Sequence, residues 1–215
     1  MAQKSVILQK QLEIQKLADT KYPILEVLRR RCSTVAFSDR VVEVEKLRQL
    51  FEAARWAPSS FNEQPWSFVL TTKSEDLPNY ERLLSCLTGH NRDWAHRAPV
   101  LVMSVAKHHF EMGGQANRYS IHDVGLATEN LTIQAIALDL FVHLLAGFDA
   151  AKARKLFAIP ETHEPVCVMA IGYFGNLEAL SPDLQRRELT PRHRREFKEF
   201  VFSGQWGHSS TLVPD

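Results

Sequence analysis

Segment 56–66 joins two patterns of different periodicity, a helical pattern before it and a strand pattern after it. Before it, apolar residues recur at three- and four-residue steps across residues 44–54, as on the buried face of an amphipathic helix. Pro58 disfavours helical geometry at the preceding residue, so we expect the helix to end there. After the segment, residues 67–72 are rich in aromatic and β-branched side chains and predict a strand. The chain therefore passes from a helix through a short loop into a sheet.

The loop between this helix and strand is rich in hydrogen-bonding groups. It offers two hydroxyls, two amide side chains and one charge, with no histidine or cysteine. Such a loop can bind the edge of a planar polar ring, but it is poorly equipped to abstract a proton or attack a carbon. An ordinary helix-to-strand connection with an exposed tryptophan is the alternative interpretation.

The loop sequence Pro-Ser-Ser-x-Asn-x-Gln-Pro-Trp, after an apolar helix, resembles the signature loop of the nitroreductase family of FMN-dependent oxidoreductases. The resemblance implies an α+β fold in which helices surround a mainly antiparallel central sheet, within an intertwined homodimer. It also implies that the loop contacts the flavin ring and ribityl chain bound to the partner subunit. The loop residues concerned are Pro58, Ser59, Ser60, Asn62 and Gln64.

A second match lies near the amino terminus. Arg31 and Ser33, with Cys32 between them, resemble the start of the family's Arg-x-Ser-x-Arg-x-Phe motif. The resemblance implies that these three residues bind the cofactor. Val35 departs from the pattern, because the family usually has arginine or lysine at that position.

A third match lies near the carboxyl terminus. Arg192 and Arg194 resemble the basic pair that holds the FMN phosphate in the family, with Glu196 in place of a proline. Arginine suits a phosphate because each guanidinium can give two charge-assisted hydrogen bonds. The resemblance therefore places Arg31, Arg192 and Arg194 around the phosphate.

Two looser matches concern the flavin ring. Asn91 falls near the family's asparagine that faces the pyrimidine edge, and a turn-forming asparagine is an equal alternative. Ala146 stands where the family often has glutamate, and its backbone N–H could preserve a flavin contact. Gly147 would let the backbone approach a flat ring closely.

Length and composition limit other interpretations. The 215 residues suit one domain with arms: an N-terminal helical arm at 1–20, an FMN-binding domain at 21–207 and a tail at 208–215. The net charge of +1 argues against a dedicated nucleic-acid surface, and no apolar run reaches bilayer length. Three widely spaced cysteines without a CxxC pair indicate neither a disulfide framework nor a zinc site. We therefore expect a cytoplasmic protein without nucleic-acid or membrane partners.

Further elements follow from periodicity and from turn residues. The helix predicted over residues 120–138 is apolar nearly all round, so we expect it in the core or at a subunit interface, and Ser120 and Asp123 have the spacing of a capping box. The other predicted helices lie at residues 5–19, after Pro23, at 77–87 and in the residues up to 156. The other predicted strands lie at residues 98–105, 140–145 and 166–172.

Acid–base, metal and dinucleotide motifs are not evident. The sequence contains neither Gly-x-Gly-x-x-Gly nor a P-loop, and no Ser/His/Asp arrangement has recognisable spacing. His108, His109 and Glu111 lack the helical spacing of metal ligands and predict a loop. His122 and Asp123 are interpreted as structural residues at a helix start. We assign no catalytic side chain and no metal, because in a flavoenzyme the cofactor supplies the chemistry.

The resemblance implies that NAD(P)H reduces bound FMN, which then reduces a nitroaromatic, quinone or related small-molecule acceptor by a ping-pong mechanism. Two alternatives remain open. One is a specialised member of the family, either reductive dehalogenase-like or flavin-consuming. The other is a non-catalytic FMN-binding protein.

Overall fold

The computed structural model describes residues 16–213. Most of the helix predicted at residues 5–19 lies outside the described residues, and its last four residues, 16–19, form no helix. The helix expected after Pro23 is present as five residues, Glu26–Arg30, and buries none of its side chains in this chain.

A four-stranded sheet forms the centre of the molecule. Its strands are β1 (Trp66–Thr72), β2 (Val100–Lys107), β3 (Phe141–Leu145) and β4 (His163–Gly172). They lie in the order β1-β2-β4-β3, and every pair is antiparallel. The predicted α+β class with an antiparallel sheet is therefore confirmed. The register pairs Trp66 with Ala106, Val100 with Ile171 and Leu145 with Val168.

Seven α-helices flank this sheet in residues 16–213. They are α1 (Glu26–Arg30), α2 (Val44–Arg55), α3 (Leu77–Leu84), α4 (Arg92–Ala95), α5 (Ser120–Ala137), α6 (Ala150–Leu156) and α7 (Pro182–Leu189). Short 3-10 turns lie at Ser60–Asn62, Gly89–Asn91, Leu177–Ala179 and Phe197–Glu199.

Each face of the sheet has its own hydrophobic core. Successive strand residues point to opposite faces, so the alternating apolar residues of β2 and β4 supply both cores. Helices α2 and α5 cover one face, where Leu50 and Leu131 are fully buried. Helices α3, α4 and α6 cover the other face, where Leu83 and Trp94 are fully buried. Helix α5, which was predicted to be apolar nearly all round, thus buries one side in the core. Ile121 at its start remains 48% exposed.

The predicted capping box at the start of α5 is wrong. Ser120 is the first helical residue, and the N-cap position belongs to Tyr119, which makes no side-chain cap. The buried Asp123 carboxylate instead accepts a hydrogen bond from the backbone N–H of Ser60, at 2.9 Å. The Asp123 carboxylate therefore binds a loop that is distant in the sequence and does not cap its own helix.

Helix α7 was not predicted, although its start carries clear signals. The Ser181 hydroxyl accepts from the N–H of Leu184, and Pro182 occupies the first turn. The other predicted helices and strands are confirmed to within a few residues. No helix among residues 16–213 is long and apolar enough to cross a membrane.

Candidate functional site

A cleft of about 370 Å³ lies where the chain on either side of Ser33 meets α7 and the segment after it. Five of the predicted cofactor-binding residues line it: Arg31, Cys32, Ser33, Arg192 and Arg194. The rest of its lining is Lys16, Val35, Arg187, Glu188 and Thr190. The fold therefore brings together two motifs that lie about 160 residues apart in the sequence.

The cleft is strongly cationic. Lysine and arginine supply five of its lining residues, and Glu188 is the one carboxylate among them. That carboxylate is 1% exposed, and its oxygens accept from the Lys16 ammonium at 2.6 Å and from the Val35 N–H at 2.8 Å. The Thr34 hydroxyl donates to it as well, at 3.0 Å. Because Glu188 is fully engaged, the arginines present an excess of positive charge to any anion that enters.

Arg192 has a structural role in this cleft. Its guanidinium donates to the backbone carbonyls of Arg29, at 2.8 Å, and of Arg31 and Lys16. Its Nε–H is buried and has no hydrogen-bond partner among residues 16–213. Burial lowers the pKa of Arg192, and burial raises the pKa of the Cys32 thiol beside it.

The predicted flavin loop is held in a strained conformation. Phe61, Asn62 and Gln64 have φ values of 54°, 56° and 50°, in the left-handed region that costs a non-glycine residue about 1 kcal/mol or more. The loop is held by the Gln64 N–H, which donates to the Ser59 hydroxyl at 3.0 Å, and by Asp123 at Ser60.

The same loop presents its side chains outward. Phe61 is 91% exposed and Trp56 is 72% exposed. Pro58, Asn62 and Gln64 are exposed as well. None of these loop residues lines the cationic cleft, so the predicted site residues form two separate surfaces within this chain.

Asn91 and Gly147 come together at a third place. The Asn91 side-chain amide donates to the Gly147 carbonyl at 3.2 Å. A Cβ on residue 147 would lie 2.6 Å from Asn91 Nδ2, so glycine is required here for this contact. Asn91 also ends a 3-10 turn, and Ala146 is exposed.

Two of the three residues considered for metal binding are paired with other side chains. His108 Nε2 pairs with the Glu164 carboxylate at 3.0 Å, whereas Glu111 pairs with Lys107. His109 and Glu111 lie in the predicted loop. Within residues 16–213, no three histidine, cysteine or acidic side chains are grouped so that they could hold a metal ion.

A family profile described as the nitroreductase family matches residues 28–173. The chain belongs to the nitroreductase family. The match includes the motif at Arg31 and Ser33, the signature loop, Asn91 and Gly147. It ends before α7 and the Arg192–Arg194 segment. The membership that the loop sequence indicated is therefore confirmed.

The chain is also similar to individual proteins of known structure or sequence. A crystal structure described as an oxidoreductase containing FMN is 28% identical, with a TM-score of 0.82 over 87% of this chain and 95% of that one. A protein of Archaeoglobus fulgidus, provisionally named an NADH dehydrogenase/NAD(P)H nitroreductase, is 28% identical over 69% of this chain and 84% of its own length. The iodotyrosine deiodinase of Haliscomenobacter hydrossis is 24% identical over 83% of this chain and 90% of its own length.

A buried histidine, His143, contacts the backbone next to the cleft and was not predicted from the sequence. The His143 Nδ1–H, on β3, donates to the Thr34 carbonyl at 2.7 Å, and its ring lies 4.5 Å from that of Trp94. Burial lowers the pKa of His143 to about 4. The neutral imidazole thus supports the same backbone that Glu188 holds through Thr34 and Val35.

His143 should make stability depend on pH. Its pKa is about 4 in the folded chain and 6.5 in the unfolded chain. Between these pH values, the unfolded chain binds a proton at His143 that the folded chain does not bind. Unfolding free energy should therefore fall between pH 6.5 and 4, by roughly 3 kcal/mol in total. Urea unfolding at pH 7 and pH 5 should show a smaller difference for His143→Gln than for the wild type. His90→Gln, at an exposed histidine, should keep the wild-type difference. An equal difference in all three proteins would contradict the assignment.

Proposed function

We propose that this protein is an FMN-dependent oxidoreductase that uses NAD(P)H to reduce a nitroaromatic, a quinone or a related small acceptor. The observation that carries the proposal is the cationic cleft, which brings together the residues expected to bind the phosphate. Membership of the nitroreductase family supports the same conclusion. The neighbouring structure that contains FMN adds further support.

The residues of the cleft fit the phosphate end of FMN. Guanidinium groups suit a phosphate dianion because each offers paired N–H donors and a fixed charge. Arg31, Arg192 and Arg194 would donate to it from the cleft walls. Cys32 and Ser33 would border the phosphate between them.

The uncharged residues would hold the rest of the cofactor. Ser59, Ser60, Asn62 and Gln64 offer hydroxyl and amide groups for the ring edge and the ribityl chain, and Pro58 limits the loop's conformations. Asn91 and the backbone of Ala146 and Gly147 would contact the ring from another side. Bound FMN would supply the hydride and electron chemistry, so no side chain of the chain is assigned a catalytic role.

We propose further that two copies complete each site. The flavin loop and the cleft are separate surfaces in one chain, and the loop exposes two large aromatic side chains to solvent. A homodimer that places the loop of one copy over the cleft of the other would cover these aromatics and unite the two sets of residues. Sedimentation at micromolar concentration should give a dimer, and a monomer that retains FMN would contradict the shared site.

The reductase activity should be visible in the flavin itself. The purified protein should be yellow, and NADH or NADPH added without oxygen should bleach its visible absorbance. Adding a nitroaromatic or a quinone should then restore the colour. A protein that binds FMN but is not bleached by either nicotinamide would be a passive flavin binder. Destruction of FMN during the assay would indicate a flavin-consuming enzyme.

A shared binding place should produce substituted-enzyme kinetics. The sequence has no second dinucleotide-binding module, so NAD(P)H and the acceptor would occupy the same place in turn. Initial rates at several fixed acceptor concentrations should therefore give parallel double-reciprocal lines. Intersecting lines, together with evidence that both substrates bind at once, would exclude this mechanism.

Reductive dehalogenation is the second candidate. The observation that favours it is the similarity to the iodotyrosine deiodinase of Haliscomenobacter hydrossis, which extends over 83% of this chain. The same reduced protein can be offered an iodotyrosine in place of the nitroaromatic. Release of iodide with recovery of the flavin colour would favour this candidate, and no release would remove it.

A further inference from the structure

The cationic side chains of the cleft differ in how far their donors are already used. Lys16 pairs with Glu188, and Arg192 donates to three backbone carbonyls. Arg194 donates to the neighbouring His193 carbonyl at 2.8 Å, and Arg31 has only a long contact of 3.4 Å to Ser33. Lys16, Arg192 and Arg194 therefore already use hydrogen-bond donors within the protein.

Arg187 is different. It lines the cleft from the last turn of α7, and its guanidinium makes no hydrogen bond or ion pair with any of residues 16–213. It lies against the ring of Trp94, whose centre is 5.8 Å from the guanidinium carbon. A cation over an aromatic face keeps its N–H edges free. All five N–H groups of Arg187 are thus available to a ligand from outside.

The neighbouring residues explain why this arginine stays free. Glu188 is the nearest acid in the sequence, but its carboxylate is buried and already accepts from Lys16, Thr34 and Val35. The cleft has no charge at residue 35, because Val35 is apolar, is 1% exposed and belongs to the core. Arg187 therefore adds a positive charge to a cleft that has an uncharged side chain at position 35.

We propose that Arg187 binds the phosphate of FMN together with Arg31. This inference rests on the proposed function. It assigns a cofactor contact to α7, a helix that lies outside the part of the chain matched by the family profile.

The test compares FMN with riboflavin, which lacks the phosphate. The full chain, freed of flavin, is titrated with each ligand, and binding is measured from the quenching of flavin fluorescence. The wild type should bind FMN more tightly than riboflavin. Arg187→Gln should weaken FMN binding by about tenfold or more and leave riboflavin binding unchanged, because only the phosphate contact is lost.

Arg186→Gln is the matched control. Arg186 lies on the same helix, has the same charge and pairs with Asp183 on the surface rather than lining the cleft. This variant should bind both flavins as the wild type does. Arg187→Lys, which keeps the charge without the planar fork, should fall between the wild type and Arg187→Gln. Thermal unfolding of all variants should give similar midpoints.

The outcomes separate the inference from the function on which it rests. Unchanged FMN affinity in Arg187→Gln, with FMN still preferred by the wild type, would overturn the role of Arg187 and leave the proposed function standing. An equal loss of FMN and riboflavin binding would also overturn it, since the residue would then be structural. A wild type that binds neither flavin would overturn the proposed function itself.

Discussion

The buried Glu188 carboxylate joins parts of the chain that lie far apart in the sequence. It holds the Thr34 hydroxyl, the Val35 N–H and the Lys16 ammonium from a helix more than 150 residues away. A buried charge is costly unless it is paired and hydrogen-bonded, so these contacts are needed together. Arg192 adds a second connection across the same boundary. The cleft exists because these contacts keep its two walls in place.

The sheet and the helices on its two faces could be predicted because they depend on local periodicity. Strand β2 shows the pattern directly, since its successive residues are buried on alternating faces. The signature loop was also evident, because its residues are contiguous. The loop's backbone strain was not evident, because the positive φ values of Phe61 and Gln64 depend on hydrogen bonds formed in the fold.

Side-chain contacts between residues that lie far apart in the sequence could not be predicted. Asp123 has the spacing of a helix cap, yet it bonds a loop 63 residues away. Glu188 and Arg187 look like solvent-facing residues of a polar stretch. Glu188 is instead buried and bonded to Thr34, and Arg187 lies against Trp94 at the cleft. His143 lies among apolar strand residues, and nothing local marks its bond to Thr34. Signals for α7 did exist in Ser181 and Pro182.

The most direct test is a crystal structure of the protein with FMN bound. We expect the phosphate within hydrogen-bonding distance of the Arg31 and Arg187 guanidinium groups, with the flavin loop of a second copy against the ring. We also expect Glu188 to keep its contacts with Lys16 and Val35 rather than face the phosphate. A phosphate held elsewhere, with the cleft filled only by solvent, would contradict the account.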